Sequence, residues 1–190
     1  MPDMPNVHFR LRQYMCLDAV TAEQRLNELE FYYPLTRLEP EGLRRVLYKH
    51  GDHLAGPFQE DLQGLAFAPV HGYMKGFIDL VFAAGGRFYL ADYKSNWLGA
   101  GLNAYRAKPL LAVMARESYY LQYLIYTVAL HRYLRLRLPD YDYDVHFGGV
   151  FYLFLRGMDP AVPGNGIFQD RPNRALVEAL DDYIDAGEAV

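Results

Sequence analysis

Residues 73–97 read YMKGFIDLVFAAGGRFYLADYKSNW. Two runs rich in Phe, Ile, Leu, Val and Tyr flank Gly85-Gly86, a pair able to take the positive φ values that a two-residue hairpin turn demands. With the turn centred there, Asp79 stands directly opposite Asp92. A three-residue loop would shift the register by one and throw one carboxylate to the other side. Side chains alternate along a strand, so Asp92 and Lys94 share a face, and Asp79 joins them with Cβ atoms roughly 5 Å apart. Opposed like charges destabilise a hairpin unless something offsets them, and a divalent cation that prefers oxygen is the natural candidate. Such an ion lowers the pKa of a bound water and polarises a phosphoryl oxygen, while a neighbouring ammonium steadies developing negative charge. The pattern predicts metal-assisted phosphodiester cleavage. The structural alternative is a set of ordinary strand charges in which Lys94 neutralises one acid. Against it stand the neighbours: Val81, Phe88 and Leu90 on the side of the acids, and Ile78, Leu80, Phe82, Tyr89, Ala91 and Tyr93 on the other. They predict a hairpin covered on both faces, where an unpartnered charge is expensive.

At 190 residues the chain suits one domain, long enough to bury about 70% of its unfolded surface. The most apolar region, 110–134, is broken by Arg116, Glu117, Gln122, His131 and Arg132 and falls short of a membrane span of roughly 20 apolar residues. Residues 1–12 lack the apolar run of a signal peptide, so a cytoplasmic location is expected, with no membrane contact. The single cysteine, Cys16, excludes an internal disulfide and a cysteine-ligated iron-sulfur cluster. A net charge of −4 is unlike a free-standing DNA-binding domain, whose hold on phosphates comes from Lys and Arg. That balance suits a catalytic module brought to DNA by a larger assembly.

Along the chain, residues 1–24 read as a loosely held leading segment, disordered or docked as an arm, and residues 25–190 as one domain. Residues 26–34 alternate as a strand, with Glu28 and Glu30 on one face and Leu29 and Phe31 on the other. Either glutamate is a candidate third acid. Residues 39–50 predict a helix with Pro40 early and Gly51 past its end, and 52–69 a loop with one short helical turn. The loop Ser95-Asn96-Trp97 leaves the lysine-bearing strand with small polar groups suited to a phosphate path. Residues 104–116 are weakly helical and interrupted by Pro109, and Ser118 is placed to N-cap a helix running to about Leu136. On that helix Gln122 and Tyr126 lie one turn apart, with Tyr119 and Tyr133 on neighbouring rows, beside an apolar stripe of Leu121, Leu124, Ile125, Val128 and Leu134. Residues 143–155 read as a buried strand, with Gly148-Gly149 marking a bulge or close backbone approach. A loop at 158–173 and a helix at 172–186 complete the reading. Strands interleaved with helices predict an α/β three-layer sandwich around a mixed sheet.

G-F-I-D at 76–79 followed by D-Y-K-S-N-W-L-G at 92–99 resembles the nuclease domain at the C-terminal end of the RecB (beta) subunit of exodeoxyribonuclease V, within the PD-(D/E)XK superfamily. The similarity continues through YYLQYLIYTVALHRYL at 119–134, DYDYDVHFGGVFYLFLRG at 140–157 and Arg171-Pro172-Asn173. The resemblance implies a restriction-endonuclease-like fold. It implies Asp79, Asp92 and the backbone carbonyl of Tyr93 as ligands of Mg²⁺, which Mn²⁺ or Ca²⁺ can replace in binding, and Lys94 as the catalytic lysine. Gln122-x-x-x-Tyr126 matches the family's substrate-contacting Q-x-x-x-Y motif, and Asn96 belongs to the same DNA-facing end. The implied setting is recombinational repair of double-strand breaks, with DNA, helicase domains on the same polypeptide, the RecC and RecD subunits and RecA as partners. The family also carries an upstream helix with a G-x-x-x-H-x-x-x-E pattern whose histidine is a metal ligand. His8 lacks the accompanying glycine and glutamate. The expectation is an ion site short of one ligand, hence feeble Mg²⁺-dependent cleavage by the chain alone. Two other classes bear on the same residues: a non-catalytic docking module for a recombinase or partner subunits, and a stand-alone junction resolvase, for which composition offers no basic surface.

Overall fold

In the computed structural model, which describes residues 10–12, 15–51, 54 and 56–187, Gly85 and Gly86 take φ of 57° and 75°. They join strand β4 (Val70–Ala84) to strand β5 (Arg87–Lys94). The pairing runs from Ala84 opposite Arg87 to Leu80 opposite Ala91, the register expected for a turn centred on the two glycines. This hairpin lies at the centre of a five-stranded sheet. Strand β3 (Arg25–Leu38) pairs antiparallel with β4, β6 (Phe147–Phe154) runs parallel to β5, and β7 (Ile167–Asp170) closes the far edge antiparallel to β6. Short strands β1 (Arg10–Arg12) and β2 (Met15–Cys16) form a separate pair. The rest of the leading segment that the structure describes is two turns of 3₁₀ helix, with Val20 buried. Residues 1–9 lie outside the described residues.

Among the described residues six helices accompany the sheet: α1 (Pro40–His50), α2 (Gly56–Gly64), α3 (Ala107–Arg116), α4 (Tyr119–Arg137), α5 (Tyr143–His146) and α6 (Arg174–Ala186). The result is a mixed α/β sandwich of restriction-endonuclease-like type. Its two faces are unequal. The inner face carries the large core, in which Val81, Leu90, Val150, Tyr152 and Phe154 meet Leu124, Val128 and Leu130 of α4 and Leu176, Val177 and Leu180 of α6. The outer face carries a smaller cluster of Leu80, Phe82, Tyr89, Ala91, Phe151 and Leu153, capped by Val20, Leu17 and Met158.

Several local expectations are corrected. Ile78 packs in the large core with Val81, not beside Leu80. The two strands change phase together between 78 and 81 on β4 and between 26 and 29 on β3, where Glu28 takes φ of 53° and partners run from Asn27–Leu80 to Leu29–Ile78. Residues 56–64 form a nine-residue helix, longer than one turn. Pro109 does not interrupt α3 because it falls in the first turn, where its missing N–H has no helical partner to lose. Ser118 takes a left-handed φ of 52°, and its hydroxyl donates to Asp61 instead of capping α4. Residues 143–146 are a helical turn, and the strand begins at Phe147. The expected loop at 158–173 contains β7. Gly148 is the extra residue of a bulge: a Cβ there would lie 2.2 Å from the Tyr89 ring.

Helices α4 and α6 are joined by a charge cluster. Asp181, 5% exposed, accepts from Arg132 and, at 3.2 Å, from Arg135, while Arg132 reaches Asp185 at 2.7 Å and lies 4.6 Å over the Tyr33 ring. Beside it His131 is buried, in contact with the Tyr141 hydroxyl at 3.0 Å. Burial pushes its pKa below the usual 6.5, Asp181 opposes that, and Arg135, Arg132 and Arg174 reinforce it. A lowered folded pKa means that the unfolded chain binds more protons, so His131 costs stability as pH falls below its ordinary value. Urea midpoints measured from about pH 7 to about pH 5 should therefore fall less steeply in His131→Gln than in the unaltered chain. Equal slopes would show that the ring is protonated alike in both states.

Along the overhanging end of β3 and β4 a groove of about 360 Å³ is lined by apolar side chains alone, among them Leu38, Met74, Leu121, Ile125 and Ile184. No helix of the described residues is long and apolar enough to cross a membrane.

Candidate active site

The β4–β5 ladder stops at Leu80–Ala91, and the next backbone N–H of β5 on that side, that of Tyr93, donates to Oδ2 of Asp79 at 2.9 Å. The phase change at Glu28 and Asp79 produces this: where the strands kink apart, a side-chain oxygen replaces a backbone acceptor. Asp92 sits on the adjacent strand, opposite Tyr152 across the parallel ladder. Burial pushes its carboxyl above the usual carboxylate range, Lys94 counteracts that, and the charge of Asp79 adds to the rise. The Lys94 ammonium lies 2.6 Å from Oδ1 of Asp92, both side chains being almost fully buried. That oxygen is in ion contact yet outside hydrogen-bond geometry with any partner.

Helix α4 supplies the other wall. Tyr119, Gln122 and Tyr126 recur at three- and four-residue spacing and therefore share a face. Gln122 Oε1 accepts from Lys94 Nζ at 2.9 Å and from the Tyr152 hydroxyl at 3.0 Å, and its Nε2 donates to the Tyr126 hydroxyl at 2.9 Å. The Tyr119 hydroxyl donates to Oδ1 of Asn96 at 3.3 Å. The Asn96 loop is pinned in turn by Tyr105, which donates to the Asn96 carbonyl and accepts from the Leu98 N–H, while Trp97 stands 69% exposed.

Thus Asp79, Asp92, Lys94, Gln122, Tyr126 and Asn96 meet at one end of the sheet, with Tyr93 contributing its backbone. Glu30 does not join them: it pairs with Lys75 at 2.7 Å on the outer face. Glu28 is exposed at the kink. Among the described residues no three His, Cys, Asp or Glu side chains converge as a metal cluster, so a cation here would rest on two carboxylates. That donor set suits Mg²⁺, which commonly takes one or two carboxylates and completes its shell with water and phosphate. The buried Asp92 oxygen, lacking a hydrogen bond, fits the same use. Sequence reasoning passed over Tyr152, whose signal lay in its place on the strand parallel to β5, and over Tyr119 as a site residue, three positions before Gln122.

Fold and site together define a restriction-endonuclease-like α/β domain with paired carboxylates and a lysine on its central hairpin. The sequence then places it among RecB proteins. It is 46% identical over 166 residues to the RecB subunit of the RecBCD enzyme of Escherichia coli strain K12, a match covering 87% of this chain and 14% of that protein. It is 44% identical over 157 residues to the Haemophilus influenzae RecB, covering 82% and 12%, and 38% identical over 193 residues to the Mycobacterium tuberculosis H37Rv RecB, covering 91% and 18%. The chain therefore spans less than one fifth of the length of these relatives, and over that segment it is a RecB-type sequence. No family model matches it.

Proposed function

We propose that the chain is the nuclease module of a RecBCD-type helicase-nuclease, hydrolysing DNA phosphodiester bonds with a divalent cation in the repair of double-strand breaks. The observation that carries the reading is the junction at the end of the hairpin, where Asp79 and Asp92 flank the Tyr93 peptide and Lys94 is fixed between Asp92 and Gln122. Asp79, Asp92 and the Tyr93 carbonyl would hold Mg²⁺. When bound, the ion supplies Lewis acidity toward a phosphoryl oxygen and an acidified water. The chain's own residues do the rest. Lys94 presents an ammonium in ion contact with Asp92 that donates to Gln122, with donor capacity left for an anionic oxygen. Asp79 and Tyr93 lock the two strands, fixing the carboxylate pair. Gln122 and Tyr126 hold the helix side of the site.

The net charge of −4 supports a module whose grip on DNA comes from elsewhere in an assembly, with helicase domains and RecC- and RecD-type subunits supplying it and RecA as a further partner. Such an assembly would work on chromosomal DNA in the cytoplasm. Calorimetric titration with Mg²⁺ and Ca²⁺ tests the ion site directly: binding should weaken on the order of 10 to 100-fold in Asp79→Asn. Unchanged binding in that variant, or cleavage of linear DNA that persists in chelator, would overturn the assignment.

A further inference from the structure

Lys94 is held by more than its carboxylate. Its Nζ lies 4.1 Å from the centre of the Tyr119 ring and 5.0 Å from that of Tyr152, both within cation–π range. Neither ring can drift. Tyr152 is fully buried with its hydroxyl on Gln122, and Tyr119 is anchored through its hydroxyl to Asn96. The two rings also contact one another, 5.8 Å between centres, so they form one continuous wall. A metal ion held through Oδ1 of Asp92 would compete with the ammonium that closes on that atom. A ring face attracts the ammonium yet offers no ligand oxygen to Mg²⁺, so it does not enter that competition.

We propose that Tyr119 and Tyr152 are positioning residues for Lys94, their rings forming a seat that keeps the ammonium beside the carboxylate pair whether or not Asp92 is engaged by a cation. This rests on the nuclease reading for its consequence but not for its existence. The seat explains why the helix carries an aromatic residue one turn before Gln122. Gln122 Oε1 then acts as the polar pivot between ammonium and ring, accepting from both Lys94 and Tyr152.

The test has a metal-free arm and a kinetic arm. The chain has four lysines, and in a carbon-13 lysine-labelled sample without metal the ε-methylene of Lys94, assigned by Lys94→Arg, should be shifted upfield by ring currents. Tyr119→Leu should return it toward the ordinary position, and Tyr119→Phe should keep it shifted. Lys75, 5.7 Å from the Phe77 ring, is a control that neither substitution should move. With Mg²⁺, Tyr119→Leu should lower kcat for DNA cleavage about tenfold while KM stays within about twofold, and Tyr119→Phe should recover most of the lost rate. A Lys94 signal at the ordinary position in the unaltered chain, or unmoved in Tyr119→Leu, would overturn the seat. So would a rise in KM at constant kcat, which would make Tyr119 a DNA contact. If the unaltered chain neither cuts DNA nor binds Mg²⁺ in calorimetric titration, the nuclease reading fails while the lysine signals still decide the seat.

Discussion

Asp92→Asn is expected to lower metal-dependent cleavage of linear DNA on the order of 10³-fold at saturating Mg²⁺. Asparagine keeps the volume and leaves an amide oxygen for the Lys94 ammonium, so the fold and the lysine stay in place. What disappears is the negative charge that a hard cation needs. Stability should change little because two effects oppose: burial and the charge of Asp79 make the ionised Asp92 carboxyl costly in the folded chain, whereas its loss leaves the buried Lys94 ammonium with only Gln122, the amide oxygen and the Tyr119 and Tyr152 rings. Cleavage rates and thermal midpoints measured on the same preparations separate the two effects. A variant that melts like the unaltered chain and cuts within about tenfold of it would place the cation elsewhere.

The largest effect on stability is expected far from the site, at Asp181. It is 5% exposed and accepts from two arginines of α4, so Asp181→Ala leaves the Arg132 guanidinium, itself 14% exposed, without its principal partner. Removing one partner of a buried pair costs about 3 kcal/mol or more, a fall in midpoint of roughly 6–12 °C for a chain of this size. Asp185 binds the same arginine from a side chain 58% exposed, and Asp185→Ala should cost less than about 1 kcal/mol. Comparable losses in the two variants would mean that the cluster draws its strength from long-range charge and not from burial.

How far the architecture was legible follows from where local signals suffice. Gly85-Gly86 determines its own turn, and the turn determines which residues face each other, so the partnership of the two carboxylate strands could be read directly. The spacing of Gln122 and Tyr126 needed only a helix. Beyond these, the signals were cooperative. Nothing in Glu28 or Asp79 announces a phase change, because a left-handed glutamate is stabilised by the strands on both sides of it. Hence alternation alone puts Ile78 on the wrong face, and of the two candidate glutamates Glu30 pairs outward with Lys75. Strand β7 has four residues and exists through its pairing with β6. Ser118 shows the same limit in miniature: its residue type suits an N-cap, but Asp61, 57 positions earlier, takes its hydroxyl. Tyr119 and Tyr152 became site residues only when α4 was laid across β6.

The loop that leaves Lys94 carries the single tryptophan of a chain with 17 tyrosines, and Trp97 is 69% exposed only three positions beyond the lysine. Excited at the red edge, where tyrosine no longer absorbs, the protein has one fluorophore, built into the mouth of its own site. Its emission should be that of a solvated indole, readily quenched by acrylamide, and a strand of DNA drawn over the carboxylates would shield it. Arrival and departure of substrate can then be timed by stopped flow on unlabelled protein, with Ca²⁺ in place of Mg²⁺ to hold the bond intact.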